Sequence, residues 1–324
     1  MLGFPSASAA NFASAPPCVA IEIGGTKLQL AVGTSAGEIL DRQRFAVDPA
    51  AGAAGIREEI AAALPGIVAQ WRPAAIGVGY GGPVDRRTGH VVKSHHVSGW
   101  EGFPLGEWLA DIAGLPVAVD NDANVAALGE ALHGAGRGCD PVFYVTLGSG
   151  VGGGLVCGGR IFHGAGMGEA EIGHLRLGPA GEITEYYCSG WSLDRRIREA
   201  AAKAPASPLA RLVQASPGQE ARHLGPALAA GDPLAAEILD GAAEKLALAL
   251  SHVGHLCHPQ VIVLGGGVAL LGEPLRQAVA THLGRFMMEA LRPGPRVALT
   301  TLREDAVPVG AITLAFQQFP ALVS

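Results

Sequence analysis

The most reactive stretch of the sequence is Val119-Asp120-Asn121-Asp122-Ala123-Asn124, which sets acidic and amide side chains where an apolar run gives way to a helical pattern. Asp and Asn are favoured helix N-caps because their oxygens accept orphan backbone N–H groups. A carboxylate at such a corner can also take a proton from a hydroxyl during group transfer. Both readings stay open for Asp122, since capping occupies little more than one oxygen. Glu171 and His174 stand three apart, a spacing that puts both polar groups on one side of a helical turn; a solvated turn is the plainer reading. The same Glu-x-x-His pattern recurs at Glu130 and His133. Paired motifs of this kind build di-iron bundles, but those need four facing helices and two further glutamates, and the intervening chain is strand and glycine. His252, His255, Cys257 and His258 straddle a helix end before Pro259, which suits a wet helix face better than a metal centre.

Three glycine turns each close a predicted strand: Gly24-Gly25-Thr26-Lys27, Gly148-Ser149-Gly150-Val151-Gly152-Gly153-Gly154 and Gly265-Gly266-Gly267. Successive backbone N–H groups in such turns form anion-binding concavities, although a lone glycine turn is more often a plain hairpin or helix entry. Neither GxxxxGK[ST] nor a clean GxGxxG follows the first strand, so the P-loop and dinucleotide-binding readings lose their main support.

The elements that must hold these residues alternate. Strands are predicted at Cys18–Ile23, Leu28–Gly33 and around Glu38–Val47, then a helix over Ile56–Trp71 and a strand at Ala75–Gly79. A helix at Pro104–Gly114 and a strand at Val117–Val119 lead to a helix through His133. A second round runs Val142–Leu147, Gly152–Val156 and Arg160–His163. Helices follow at Ser192–Lys203, Leu209–Ala215 and Pro233–His258, and then the strand Gln260–Leu264. A helix at Pro274–Leu291, a strand at Arg296–Thr301 and a helix near Val309–Phe316 complete an α/β chain that looks duplicated.

Composition bounds the function. The 324 residues carry a formal net charge of −6, and charged residues make up 16% of the chain against 49% hydrophobic. Such a chain is too apolar to be disordered and has no cationic excess for general nucleic-acid binding. Glycine, 47 of 324, is about twice its common share. Five dispersed cysteines without a CxxC pair suit a reducing cytoplasm. Residues 1–17 carry no charge, so the basic segment of a signal peptide is missing; they are expected to be a disordered tail. Residues 246–272 lack Asp, Glu, Lys and Arg, long enough to span a bilayer. A helix, the Pro259 break and a buried strand explain them better.

Taken together, the pieces resemble the ROK family of bacterial sugar kinases and sugar-responsive repressors, within the actin/hexokinase-like superfamily. The resemblance covers Val19 to Phe316. It rests on Ile23-Gly24-Gly25-Thr26-Lys27, Gly82-Pro83-Val84-Asp85, Gly99-Trp100-x-x-Phe103-Pro104-Leu105, Asn121-Asp122-Ala123-Asn124 with Ala127-Leu128-Gly129-Glu130, and Gly148-x-Gly150-Val151-Gly152-Gly153-Gly154. Glu171-Ile172-Gly173-His174, Ser189-Gly190-Trp191 and Val261-Ile262-Val263-Leu264-Gly265-Gly266-Gly267 continue it. It implies two RNase H-like lobes with a central cleft, a small one of residues 18–121 plus about 303–324 and a large one of 122–302. It also implies an ATP- and Mg²⁺-dependent hexose kinase that self-associates as a homo-oligomer, expected to be a dimer; the cysteines, the charge balance and the broken apolar stretch give the expectation of a cytoplasmic chain with no nucleic-acid or membrane partner. Asp122 would be the general base, and no large pKa shift is required of it because phosphoryl transfer asks mainly for positioning and charge neutralisation. Gly82, Asn121, Glu171, His174 and Glu185 would line the sugar. Gly24, Gly25, Thr26, Lys27, Thr146, Gly148, Ser149 and Gly150 would surround the phosphates, and Gly265, Gly266 and Gly267 would lie against the adenosine.

The chain departs from the family pattern in three places. Glu22 stands where the family commonly has Asp, and would reach Mg²⁺ through water. The zinc-binding Cys-x-Cys-Gly-x-x-Gly-Cys loop of many members is replaced by a shorter run from His174 to Glu185 without cysteine; with Cys188 isolated, no structural zinc is expected. His96 stands where members often have Asn near the sugar. The alternative function is a catalytically inactive sugar sensor of the same fold. A repressor is disfavoured, since seventeen residues before Cys18 are too few for a helix-turn-helix module.

Overall fold

Five of the six residues in Cys18–Ile23 are buried as strand β1, as a central strand covered on both faces requires. The computed structural model describes residues 15–48, 50–94, 97–166, 168 and 170–322; the expected tail lies outside them except for its last three residues. Strand β2 (Lys27–Gly33) returns antiparallel to β1, and β3 (Ile39–Ala46) antiparallel to β2. Helix α1 (Gly52–Trp71) buries Ile56, Ile60, Leu64 and Ile67, the stripe visible in the sequence. Strand β4 (Ile76–Tyr80) pairs parallel with β1. A small hairpin of β5 (Val84–Asp85) and β6 (His90–Val91) and helix α2 (Leu105–Ala113) precede β7 (Val117–Asn121), which is parallel to β4. The sheet order is β3-β2-β1-β4-β7.

After α3 (Asp122–His133) the plan repeats. Strands β8 (Val142–Leu147), β9 (Val151–Cys157) and β10 (Arg160–Ile161) form a second antiparallel meander. Helices α4 (Thr184–Cys188), α5 (Gly190–Lys203), α6 (Pro208–Ala215), α7 (Leu224–Ala229) and α8 (Pro233–Cys257) lead to β11 (Val261–Gly265). Helix α9 (Glu273–Phe286) then leads to β12 (Arg296–Leu299) and α10 (Ala306–Gln318) ends the core. Strand β11 is parallel to β8 and β12 to β11, giving β10-β9-β8-β11-β12, the first sheet's order over again. A three-strand meander followed by two parallel strands, present twice, makes the fold α/β with two RNase H-like lobes and a cleft between them.

Each sheet has an outer and an inner apolar face. The outer face of the first packs on α1 and α2, and that of the second on α8 and α9. The inner faces receive the two crossover helices: Val125 of α3 and Ala311, Ile312 and Ala315 of α10 meet Ala20 and Ala31, while Ala126, Ala127 and Ala131 of α3 meet Val142, Tyr144 and Val156. The crossover helices touch through glycines. A Cβ added at Gly310 would stand 1.8 Å from the Val125 carbonyl oxygen, and one at Gly129 2.5 Å from that of Ala306.

Several boundaries differ from the sequence reading. The helix expected to reach Leu291 stops at Phe286 because Met287 turns extended (φ −72°, ψ 139°). The strand expected over Arg160–His163 holds two residues, which releases His163 for another partner. Helices α4 and α7 and the β5–β6 hairpin are too short for hydrophobic periodicity to register. The Gly99-Trp100-x-x-Phe103 motif is core: Trp100 is buried and edge-packed on Tyr80 and Phe103. Residues 246–272 divide into the end of α8, Pro259 and β11, and no helix among the described residues is long and apolar enough to cross a membrane.

Candidate active site

The corner between β7 and α3 carries the central carboxylate. Asn121 is the N-cap: its backbone is extended, and its Oδ1 accepts from the N–H groups of Ala123 (2.7 Å) and Asn124 (3.2 Å). Asn121, rather than Asp122, is therefore the N-cap, although the Ala123 N–H also favours the charged form of Asp122. The Asn121 amide donates to the Gly82 carbonyl at 3.3 Å. Asp122 opens the helix and turns its Oδ2 toward the first glycine turn: a Cβ added at Gly81 would lie 3.4 Å from that oxygen and 3.4 Å from the Gly24 Cα. Burial, and then the Glu22 carboxylate, push the Asp122 pKa up to about 7, against the N–H groups of Ala123 and of Asp122 itself. The like charge arrives on β1, a hundred residues upstream, where local sequence gives no hint of it.

The first turn, Gly24-Gly25-Thr26, is closed by Gly24 N–H donating to the Lys27 carbonyl at 2.8 Å. Glu22 beside it pairs with Lys27 at 3.2 Å and accepts from the Gln29 amide. The second turn, Gly148-Ser149-Gly150, is closed by Gly148 N–H donating to the Gly150 carbonyl at 2.9 Å. The rest of that glycine run serves packing, since a Cβ at Gly154 would stand 2.6 Å from the Ala127 Cβ of α3. Glycine there brings α3 down onto β9.

The third wall comes from residues 171–185. Ile172–His174 is a 3₁₀ turn with Ile172 and Gly173 buried and Glu171 and His174 on the outside. Residues three apart eclipse in a 3₁₀ turn, so carboxylate and imidazole emerge together. From Leu175 the chain forms a tight hairpin: Leu177 N–H donates to Glu182 at 2.8 Å, Arg176 bridges Ile183, and both the N–H (2.9 Å) and hydroxyl (3.2 Å) of buried Thr184 donate to the Leu175 carbonyl. That stem sets Glu185 opposite His174. Glu185 Oε2 then accepts from Val151 N–H at 2.9 Å, which fastens this wall to the second glycine turn. Cys188 is buried in the core, its thiol donating to the Ala242 carbonyl at 3.6 Å.

These groups line one cavity of about 340 Å³, in the range of small-ligand sites. It brings together Gly24, Gly25, Gly82, Asn121, Asp122, Thr146, Gly148, Ser149, Gly150, Glu171, His174 and Glu185. Thr26 is exposed at its turn tip and Lys27 is engaged with Glu22; neither lines the cavity. Gly265–Gly267 also lie outside its lining, next door where Gly265 pairs with Thr146; a Cβ at Gly266 would meet the Leu147 backbone at 2.6 Å. His96 lies outside the described residues. Gly81, Pro83, Ala123, Val151 and Gly152 line the cavity without having been singled out as site residues. All but Gly152 abut a residue that was, and sequence alone does not show which of their backbones face inward.

Comparison with known proteins gives the family and the fold. Residues 18–318 match the ROK family. A glucokinase of Halalkalibacterium halodurans is 33% identical over 314 residues, 93% of this chain and 95% of that one. A ROK family glucokinase from Streptomyces griseus, solved in complex with glucose and AMPPNP, superposes with a TM-score of 0.82 at 34% identity, covering 93% of this chain and 99% of that one. The ROK hexokinase from Thermus thermophilus gives a TM-score of 0.77 at 29% identity, covering 94% and 99%.

Proposed function

The chain belongs to the ROK family, and from that membership and the assembled cavity we propose that it transfers the γ-phosphate of ATP to a hexose hydroxyl. It is a sugar kinase. The observation that carries the finer reading is one cavity holding Asp122, the two glycine turns and the Asn121, Glu171, His174 and Glu185 side chains. In this reading the hexose lies against those four polar groups and Gly82, and the glycine-turn N–H groups face the phosphates. The attacking hydroxyl gives its proton to Asp122 as its oxygen bonds the γ-phosphorus and the bond to the β–γ bridging oxygen breaks, releasing ADP. Gly265–Gly267, beside Thr146, would support the adenosine. The small lobe would comprise 18–121 with about 303–324, and the large lobe 122–302.

The donor set fits Mg²⁺. Glu22 lies close enough to Asp122 to raise its pKa, a repulsion that a nearby divalent cation relieves, and carboxylate oxygens are the hard ligands that Mg²⁺ takes. Glu22 and Asp122 would hold it through water, and when bound it neutralises phosphate charge. The backbone-paired hairpin between Leu175 and Thr184 takes the place of a zinc-bound loop, so metal analysis is expected to find no tightly held zinc. The enzyme would be cytoplasmic and homodimeric, the latter tested by sedimentation.

The test incubates purified protein with Mg-ATP and a panel of hexoses and follows ADP. Hexose-dependent release is expected, and Asp122→Asn should lower kcat by about a thousandfold or more while sugar affinity stays within a modest factor. Sugar binding without ADP release above background would make the chain a sensor, and an active Asn variant would remove Asp122 as base.

A further inference from the structure

Two residues before Asp122, a second carboxylate is almost wholly enclosed and lies outside the lining of the cavity that holds Asp122. Asp120 keeps 4% of its side-chain exposure, and its Oδ2 lies 2.5 Å from Nε2 of His163. Its Oδ1 accepts from Asn121 N–H at 2.8 Å and from the Asn124 amide at 2.9 Å. The same Asn124 amide reaches the Gly168 carbonyl at 3.4 Å. Asp120 stands on β7 of the first sheet, whereas His163 and Gly168 follow β10 of the second, on the chain leading to Glu171 and His174. Asp120 and His163 face a separate cavity of about 410 Å³ behind β7, with Arg86, Arg87 and Glu107 at its wall. Neither lines the cavity that holds Asp122.

We propose that Asp120, His163 and Asn124 are positioning residues: they tether the chain entering the sugar-binding turn to the catalytic corner, and so fix Glu171 and His174 relative to Asp122. The inference rests on the kinase reading above. A carboxylate this enclosed needs its donors, since an unmet buried charge is costly. Among the described residues, His163 supplies the side-chain hydrogen bond to Asp120 that originates beyond β7 and α3. A donor to a carboxylate makes a short, strong bond, and breaking it releases the sugar-binding turn, leaving the phosphate-binding turns, closed by their own bonds, in place.

The experiment compares His163→Ala, His163→Gln and the unaltered chain. Steady-state KM is measured for glucose and for Mg-ATP, and hydrogen exchange is followed on peptides covering 160–174. His163→Ala is expected to raise the glucose KM about tenfold, with the ATP KM within about twofold, as loss of a hydrogen bond to a charged group implies. Exchange should quicken in 160–174 and not elsewhere. His163→Gln keeps an N–H donor and should bring the glucose KM back to within about threefold of the unaltered chain. An unchanged glucose KM and exchange pattern in His163→Ala overturns the tether. So does a joint rise of glucose and ATP KM with exchange quickened throughout, the sign of general loosening. If the unaltered chain shows no glucose-dependent ADP release, the exchange pattern alone decides the tether, and the kinase reading fails separately.

Discussion

The tips of the two equivalent hairpins, β1–β2 and β8–β9, are secured differently. The first is held mainly by its own strands, through Gly24 to Lys27 and the Lys27–Glu22 pair, with Gly81 N–H donating to the Ile23 carbonyl at its base at 2.8 Å. The second is held from a distance: Glu185 accepts from Val151, and Gly190 N–H donates to the Gly148 carbonyl at 2.7 Å. Glu185 also closes the wall that presents His174. The first tip is thus a local fold, while the second shares its fixings with the proposed sugar site, so a disturbance there should be felt by both substrates.

Gly150→Ala probes the difference most sharply. Its Cβ would stand 2.6 Å from Glu185 Oε2, so the carboxylate must leave Val151. Because only a flexible side chain moves, the fold is kept while a charged hydrogen bond is lost. Hexose kcat/KM should fall by about 10- to 100-fold with little change in Tm; an unchanged value would make the second tip as self-contained as the first. Asp122, lying between the tips, gives the next effect. Its pKa is raised in the folded state, so ionising it costs stability that is intact below the unfolded carboxyl value and lost as pH rises through about 7. Asp122→Asn should therefore stabilise the protein at pH 8 by about 2 kcal/mol, a few degrees in Tm, with the gain vanishing toward pH 4. Calorimetry at the two pH values checks it.

Activity itself should fall as pH drops below about 7, since a protonated Asp122 cannot accept the hydroxyl proton. Glu22→Gln removes the nearby like charge and should move that acid limb down by about half a pH unit, read from kcat/KM profiles. The smallest effect belongs to the self-contained tip. A Cβ at Gly24 would lie 3.3 Å from the Lys27 carbonyl oxygen, a contact relieved by a slight shift. Gly24→Ala should raise the ATP KM by about threefold and leave the hexose KM alone. A hexose effect as large as that of Gly150→Ala would erase the contrast between the tips.

The strands and glycine turns were legible because buried strands read as apolar runs and each turn interrupts one. The capping residue was not, since Asp120, Asn121 and Asp122 are all competent caps and only the backbone angle at Asn121 decides among them. The raised pKa of Asp122 depends on a residue brought alongside by sheet pairing. Glu185 was assigned by resemblance, and its orientation became physical only with the hairpin that folds it back against Val151. Gly266 is assigned to the adenosine by resemblance, yet what fixes glycine there is the Leu147 backbone across the sheet.

The interleaving of α3 and α10 has a consequence for the architecture. Helix α10 follows the strands of the second sheet but covers the inner face of the first, and α3 follows the first but covers the second. Neither half is therefore a module that could be cut out whole: a polypeptide ending near residue 121 would leave Ala20 and Ala31 bare, and one starting there would carry an orphaned α10. With each sheet covered by the helix that follows the other, the two halves must mature as one cooperative body.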